Sequence, residues 1–171
     1  MFHSTAKAAR ALFILGTELW DCLAKGADMR WKQIEDEPKV FALVFETGDE
    51  IASVLQHFSK HQGLGGSSFK AIGALSHAKL GWFNWKTKKY DPACVLDEQV
   101  ELLSLIGDIA LKDGEPQVHA HVVVGRCDGT AHGGHLLEAR VRPTCELILT
   151  ESPSHLQKKF DPETGIALIQ V

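Results

Sequence analysis

The chain has 171 residues, 44% of them hydrophobic and 23% charged, which suits one globular domain able to bury a core without disulfide or metal staples. Its formal net charge is -4 with histidines neutral, the wrong balance for a surface built to grip phosphate backbones. The four cysteines, Cys22, Cys94, Cys127 and Cys145, form no Cys-x-x-Cys pair and no disulfide-dense pattern; they read as free thiols, and the protein as cytoplasmic.

Residues 1–28 differ from the rest. Lys7 and Arg10 precede Ala11-Leu12-Phe13-Ile14-Leu15, but the apolar run stops at Gly16-Thr17-Glu18, too short for a signal h-region or a membrane span. Leu12, Phe13, Gly16, Leu19, Trp20 and Leu23 keep a helical spacing, which allows an amphipathic helix. Met29, the only other methionine, directly precedes the patterned region. Residues 1–28 are therefore read as an appendage, helical or disordered or even translated upstream sequence, and 29–171 as the domain.

Lys39 to Phe45 is β-rich and predicts a strand. Thr47-Gly48-Asp49-Glu50 has the form of a capping box, and Ile51, Val54, Leu55 and Phe58 then mark one face of a helix that Gly63 ends. Ser68 to Phe83 predicts one strand, or two with a bend. Trp82 to Tyr90 alternates aromatic and basic residues, and Asp91-Pro92 predicts a turn. Val100 to Ile109 reads as a strand, Asp113-Gly114-Glu115-Pro116 as a turn, and Val118 to Val124 as the clearest strand of all. A hairpin turn at Cys127-Asp128-Gly129-Thr130 follows. Leu136 to Val141 and Glu146 to Thr150 predict two strands broken at Arg142-Pro143, Ser154 to Lys159 a helical turn, and Ile166 to Gln170 a last strand. The sum is an α+β fold: a mostly antiparallel sheet with a flanking helix after the first core strand.

Nine histidines are present, and three stand out. In Val118 to Val124, alternation puts His119, His121 and Val123 on one face and Val118, Ala120, Val122 and Val124 on the other. The all-apolar face belongs to the core, so the histidine face opens to a cleft or a subunit boundary. Residues two apart in a strand lie ~6.6–6.8 Å apart along its axis, close enough for two imidazoles to converge on one ion. The third is His135, in His132-Gly133-Gly134-His135. A two-residue turn at Asp128-Gly129 would set it opposite Val122, on the wrong face; a one-residue bulge, for which Gly133-Gly134 is a natural place, would set it opposite His121 or Val123. Three neutral imidazoles with an open position suit zinc or another divalent transition metal; from the His-x-His spacing alone they read more readily as polar residues on a half-exposed face.

Other features carry less. His132 is a weaker fourth candidate. His57 and His61, four apart on the helix, read as a solvated flank. Gly63 to Lys70 lacks phosphate-loop spacing. Lys86 to Tyr90 with Trp82 and Trp85 reads as a solvated hairpin rather than a nucleic-acid surface. Glu138 and Glu146 are the carboxylates nearest the histidines in sequence, either of which could orient a ligand or accept a proton.

From Val40 to about Ser152 the chain resembles the PPC (plants and prokaryotes conserved) domain. The resemblance is carried by Thr47-Gly48-Asp49-Glu50, Ala71-Ile72-Gly73-Ala74-Leu75, Glu101 to Gly107, Val118-His119-Ala120-His121, and Asp128-Gly129 with Gly133-Gly134-His135-Leu136. It implies an α+β fold, a homotrimer, and metal binding through the His-x-His pair and the His of Gly-Gly-His, here His119, His121 and His135. Plant relatives join the domain to AT-hooks, which is why prokaryotic members carry a DNA-binding label. No Arg-Gly-Arg-Pro occurs here, so the chain resembles the type without a hook, and tight duplex binding by this chain alone is not expected. The expected function is a metal-binding, homo-oligomeric domain that recognises a small ligand or protein partner, with regulation as one such role. The alternative is a zinc-dependent hydrolase or lyase using metal-bound water.

Overall fold

The computed structural model describes residues 30–36, 38–152 and 155–170; the expectations for residues 1–28 and for Ser154 lie outside them. Among the described residues, nine strands and one helix follow in the order β1 (Arg30–Asp36), β2 (Lys39–Glu46), α1 (Ile51–Gln62), β3 (Gly66–Asn84), β4 (Lys89–Leu96), β5 (Val100–Lys112), β6 (Glu115–Gly125), β7 (Ala131–Glu151), β8 (Gln157–Asp161) and β9 (Ile166–Gln170). All form one sheet, in which β3 pairs with both β5 and β7, and β6 also pairs with both. That circuit of antiparallel ladders makes the sheet curl shut upon itself. β1 and β2 extend it beyond β7, and β4 lies along β3. β8 joins β5 by a short parallel contact and carries β9.

Closure gives the curled sheet an inside. Leu75, Leu80, Leu102, Leu105, Ile109, Val122, Val124, Val141 and Leu147 are at most 2% exposed and fill it. α1 covers the remaining opening. Its Ile51, Leu55 and Phe58 are buried at the predicted spacing, Val54 is half-buried, and Phe58 meets Phe41 of β2 edge-on with ring centroids 5.4 Å apart. The Gln56 amide ties the helix to β6, accepting from Val118 N at 3.1 Å and donating to Pro116 O. Gly63 ends the helix at φ 64.

Several local expectations yield to tertiary context. The capping box is displaced by three residues: Glu50 itself caps α1, accepting from Ala52 N and Ser53 N, while the Thr47 hydroxyl donates to Pro143 O and Asp49 accepts from Glu46 N. The turn expected at Asp91-Pro92 lies earlier. Asn84 Oδ1 accepts from Lys86 N and Thr87 N and bends the chain there, so Asp91 and Pro92 run inside β4. Proline is tolerated in β4 because that strand pairs only with β3. Arg142-Pro143 does not break the chain into two strands. β7 continues for 21 residues, with the irregularity absorbed where its pairing to β3 shifts between Gly73 and Leu75. Gln157 to Lys159, expected as a helical turn, are strand, because β9 supplies a ladder partner that no local pattern announces.

The Phe41–Phe58 contact is the main anchor of helix on sheet. Phe58→Ala is expected to lower the unfolding free energy by about 3–5 kcal/mol, read from urea titration of the full chain; a loss under about 1 kcal/mol would show the helix to be held elsewhere.

Candidate metal centre

β6 has two unlike faces. Ala120, Val122 and Val124 are 4%, 2% and 0% exposed and point into the core. His119 is half-buried and His121 exposed on the opposite face, as alternation predicts.

What brings His135 to them is the loop itself, not an irregularity at Gly133-Gly134. Arg126 N donates to Thr130 O at 2.8 Å and Gly129 N to Arg126 O at 3.0 Å, so the loop is the three residues Cys127, Asp128 and Gly129. Gly129 takes φ 82, a conformation that closes such loops and that other residues adopt only with strain. Asp128 stiffens the loop by accepting from both the amide and the hydroxyl of Thr130. An odd loop changes the parity of the pairing relative to a two-residue turn. Gly125 then faces Ala131, and the ladder runs unbroken to His121 opposite His135. The glycine pair serves strand packing instead. A Cβ on Gly134 would lie 2.7 Å from Gly81 O of β3, so glycine there lets β3 and β7 approach.

The three rings form a nearly equilateral group. Centroids are 5.3 Å apart for His119 and His121, 5.2 Å for His119 and His135, and 5.4 Å for His121 and His135. One nitrogen of each lies within 4.8 Å of the others. His119 Nδ1 sits 3.1 Å from Asp108 Oδ2 on the neighbouring strand β5, where Asp108 and His119 are register partners. An ionised carboxylate only accepts, so Nδ1 carries the proton and Nε2 keeps its lone pair. Asp108 Oδ1 pairs in turn with Lys158 Nζ of β8 at 2.6 Å, and the Lys158 side chain is only 4% exposed. Burial alone would push the Asp108 carboxyl up, but the contacts with His119 and Lys158 outweigh it and hold the group below its usual range.

The other two rings are kept neutral. Burial, then the neighbouring His119, lowers His121. Burial, then His119 and His121, lowers His135 to about 4. His135 stacks on Tyr90 of β4 with centroids 3.8 Å apart and planes 16° apart, and its buried Nδ1 has no hydrogen-bond partner. The Tyr90 phenol is itself raised by burial. A buried nitrogen left unpaired, two rings held neutral and a third oriented by a carboxylate are the donor set that a divalent cation fits.

Other candidates fall outside this group. His132 stands opposite Val124, on the face away from His135. Glu138 bonds Arg140 Nη2 at 3.1 Å, and Glu146 lies between Val44 and Ile72 on another part of the sheet. The carboxylate that meets the cluster, Asp108, did leave a signal: it is the sole charged residue between Leu102 and Leu111. Tyr90 and Lys158 left none, since only long-range pairing brings them here.

A closed antiparallel sheet with one covering helix and a three-histidine group on its outer wall defines a small class of β-rich domains. Residues 33–153 match the Plants and Prokaryotes Conserved (PCC) domain, and the chain belongs to that family, which is the PPC resemblance read from the sequence. Among solved structures it is similar to a candidate DNA-binding protein from Bacteroides thetaiotaomicron (TM-score 0.77, 29% identity, covering 83% of this chain and 96% of that one). It is also similar to a metal-containing protein from Archaeoglobus fulgidus (TM-score 0.71, 30% identity, covering 84% and 98%). A curated relative, the bifunctional protein GlmU from Synechococcus sp. (strain JA-3-3Ab), is 32% identical over 130 residues, 74% of this chain; the chain spans about a fifth, 20%, of that relative's length.

The depressed histidines fix a sign for pH dependence in the metal-free state. Between the ordinary histidine value of ~6.5 and about 4, the unfolded chain takes up a proton that folded His135 refuses. Stability is therefore retained above that window and lost as pH falls through it. Chelator-treated protein should show a falling urea midpoint from pH 6.5 to 4, and His135→Gln should flatten part of that slope; an unchanged slope would place the loss in other groups.

Proposed function

We propose that this domain binds one divalent transition metal ion, zinc being the best fit to the donors, through His119, His121 and His135. The observation that carries the reading is the convergence of one nitrogen from each of three imidazoles within 4.8 Å, in a group whose His135 Nδ1 is buried and unpaired. Similarity to a metal-containing protein of the same fold supports it. A bound ion would supply a Lewis-acidic centre facing the cavity beside β8 and β9. Asp108 is engaged by both His119 and Lys158, which suits a carboxylate that orients a ligand rather than one that takes a proton from water. Recognition of a ligand or partner is therefore the preferred role over hydrolysis or elimination. Cys94, Cys127 and Cys145 are unpaired thiols, in keeping with a cytoplasmic setting, and among the described residues no helix is long and apolar enough to cross a membrane.

The proposal includes a homotrimer. Ile72, Ile106 and Leu103 are 63%, 58% and 53% exposed, and with Ile148 and Val123 they make an apolar strip across the outer sheet, hollowed by a groove of about 540 Å³. Soluble surfaces seldom leave such a strip open, and Ile106 is the register partner of His121, so the strip runs up to the histidines. Association in threes rests on the family resemblance.

Purified protein should carry near-stoichiometric metal by elemental analysis. His121→Ala should lose most of it while circular dichroism is unchanged, and Asp108→Asn should weaken affinity by ~10–100-fold; full retention in His121→Ala would refute the site. Light scattering on a sizing column should give three times the 18.8 kDa chain mass; a monomer at micromolar concentration would refute the trimer.

A further inference from the structure

Beside the histidine cluster lies a cavity of about 590 Å³, a size suited to a small organic molecule. One wall is β5 and β6, carrying Asp108, Lys112 and His119, with His135 of β7 at its end. The facing wall is the β8–β9 hairpin, which lies beyond the residues matched by the family. Leu111 N donates to Leu156 O at 2.8 Å and Leu156 N to Gly65 O at 2.7 Å, and the Lys158–Asp108 ion pair fixes the hairpin against the site.

The two walls differ in chemistry. The hairpin turns Phe160 and Ile169 to the same face as Lys158, through the register Lys158↔Ile169 and Phe160↔Ala167, and they are 62% and 37% exposed. Large apolar side chains left open beside a cavity gain by covering with an apolar body. The other wall offers charge, and its balance can be reckoned. Lys158, with its side chain 4% exposed, and Asp108 neutralise one another. An ion held by the histidines then leaves an excess of positive charge at that end. An anionic head group is favoured there, an ammonium group repelled, and a neutral amide gains little.

We propose that this cavity binds a small aliphatic monocarboxylate, with its head group toward His119 and His135 and its tail against Phe160 and Ile169. The proposal rests on the metal reading above and adds the ligand class that the hairpin selects. It makes the hairpin part of the binding site rather than a mere extension of the sheet.

The test uses the full chain loaded with zinc, its metal content measured independently, and three probes: acetate, hexanoate and hexanamide. Binding is followed by calorimetry and by amide shifts in NMR. Hexanoate is expected to bind at least ~10-fold more tightly than acetate, because four further methylenes are buried, and at least ~10-fold more tightly than hexanamide. Ile169→Glu and, separately, Phe160→Ser should erase the advantage of hexanoate over acetate with metal content unchanged; both residues are exposed, so the fold tolerates the changes. Full metal content with equal affinity for acetate and hexanoate, or for hexanoate and hexanamide, overturns the cavity proposal and leaves the metal site standing. A wild-type chain that takes up no zinc overturns the metal reading, and the cavity proposal with it.

Discussion

Everything distinctive about this molecule depends on the register between β6 and β7. A strand presents alternate residues to alternate faces, so a two-residue loop at Asp128-Gly129 would set His135 opposite Val122, on the other face, and leave His121 facing Leu136. The three-residue loop closed by Gly129 prevents this, and its Asp128–Thr130 contacts make it stiff. The same register closes the circuit of β3, β5, β6 and β7, which encloses the core. Fold and site are thus specified by one parity, and a sequence change that slipped it would empty the core and scatter the histidines together.

Asp108 is the second point at which separate parts of the chain meet. It sits in a strand flanked by buried aliphatics, where an unpaired carboxylate would be costly. Its two oxygens are divided between His119 on the sheet and Lys158 on the hairpin. The arrangement keeps two charges paired in a half-buried place, fixes the tautomer of one imidazole, and anchors an element with few other attachments. A buried ion pair of this kind contributes little net stability; its value lies in placing three groups with respect to one another.

Much of this was legible in the sequence because it is periodic or local. Alternation in Val118 to Val124 named the core face and the histidine face, and the 3.6-residue spacing of Ile51, Leu55 and Phe58 named the buried stripe of α1. Gly129 and Asp128 marked the turn, although its length, and so the parity, had to be seen: Cys127-Asp128-Gly129-Thr130 is equally compatible with two loop residues or three. What could not be read was set by partners distant in sequence. Glu50 rather than Thr47 caps the helix because Thr47 is engaged by Pro143 across the sheet. Asp91-Pro92 is strand because β3 holds it there, and Gln157 to Lys159 are strand because β9 does. Tyr90 reaches His135, and Lys158 reaches Asp108, by the same long-range routes.

The outer face of the sheet links association to the site in a way that follows from the same alternation. The residues that share a face with His121 are Ile106 beside it and, farther across β3 and β7, Ile72 and Ile148. A surface that covered this strip would also draw water away from His121. Desolvation already lowers that imidazole in the single chain, and further covering acts in the same direction. An imidazole that resists protonation keeps its lone pair for a cation at lower pH. Covering of this strip and the resistance of His121 to protonation are therefore not independent properties. β6, which carries His119 and His121, has its core face committed to Ala120, Val122 and Val124, so a slip that repositioned the histidines would also disturb the core.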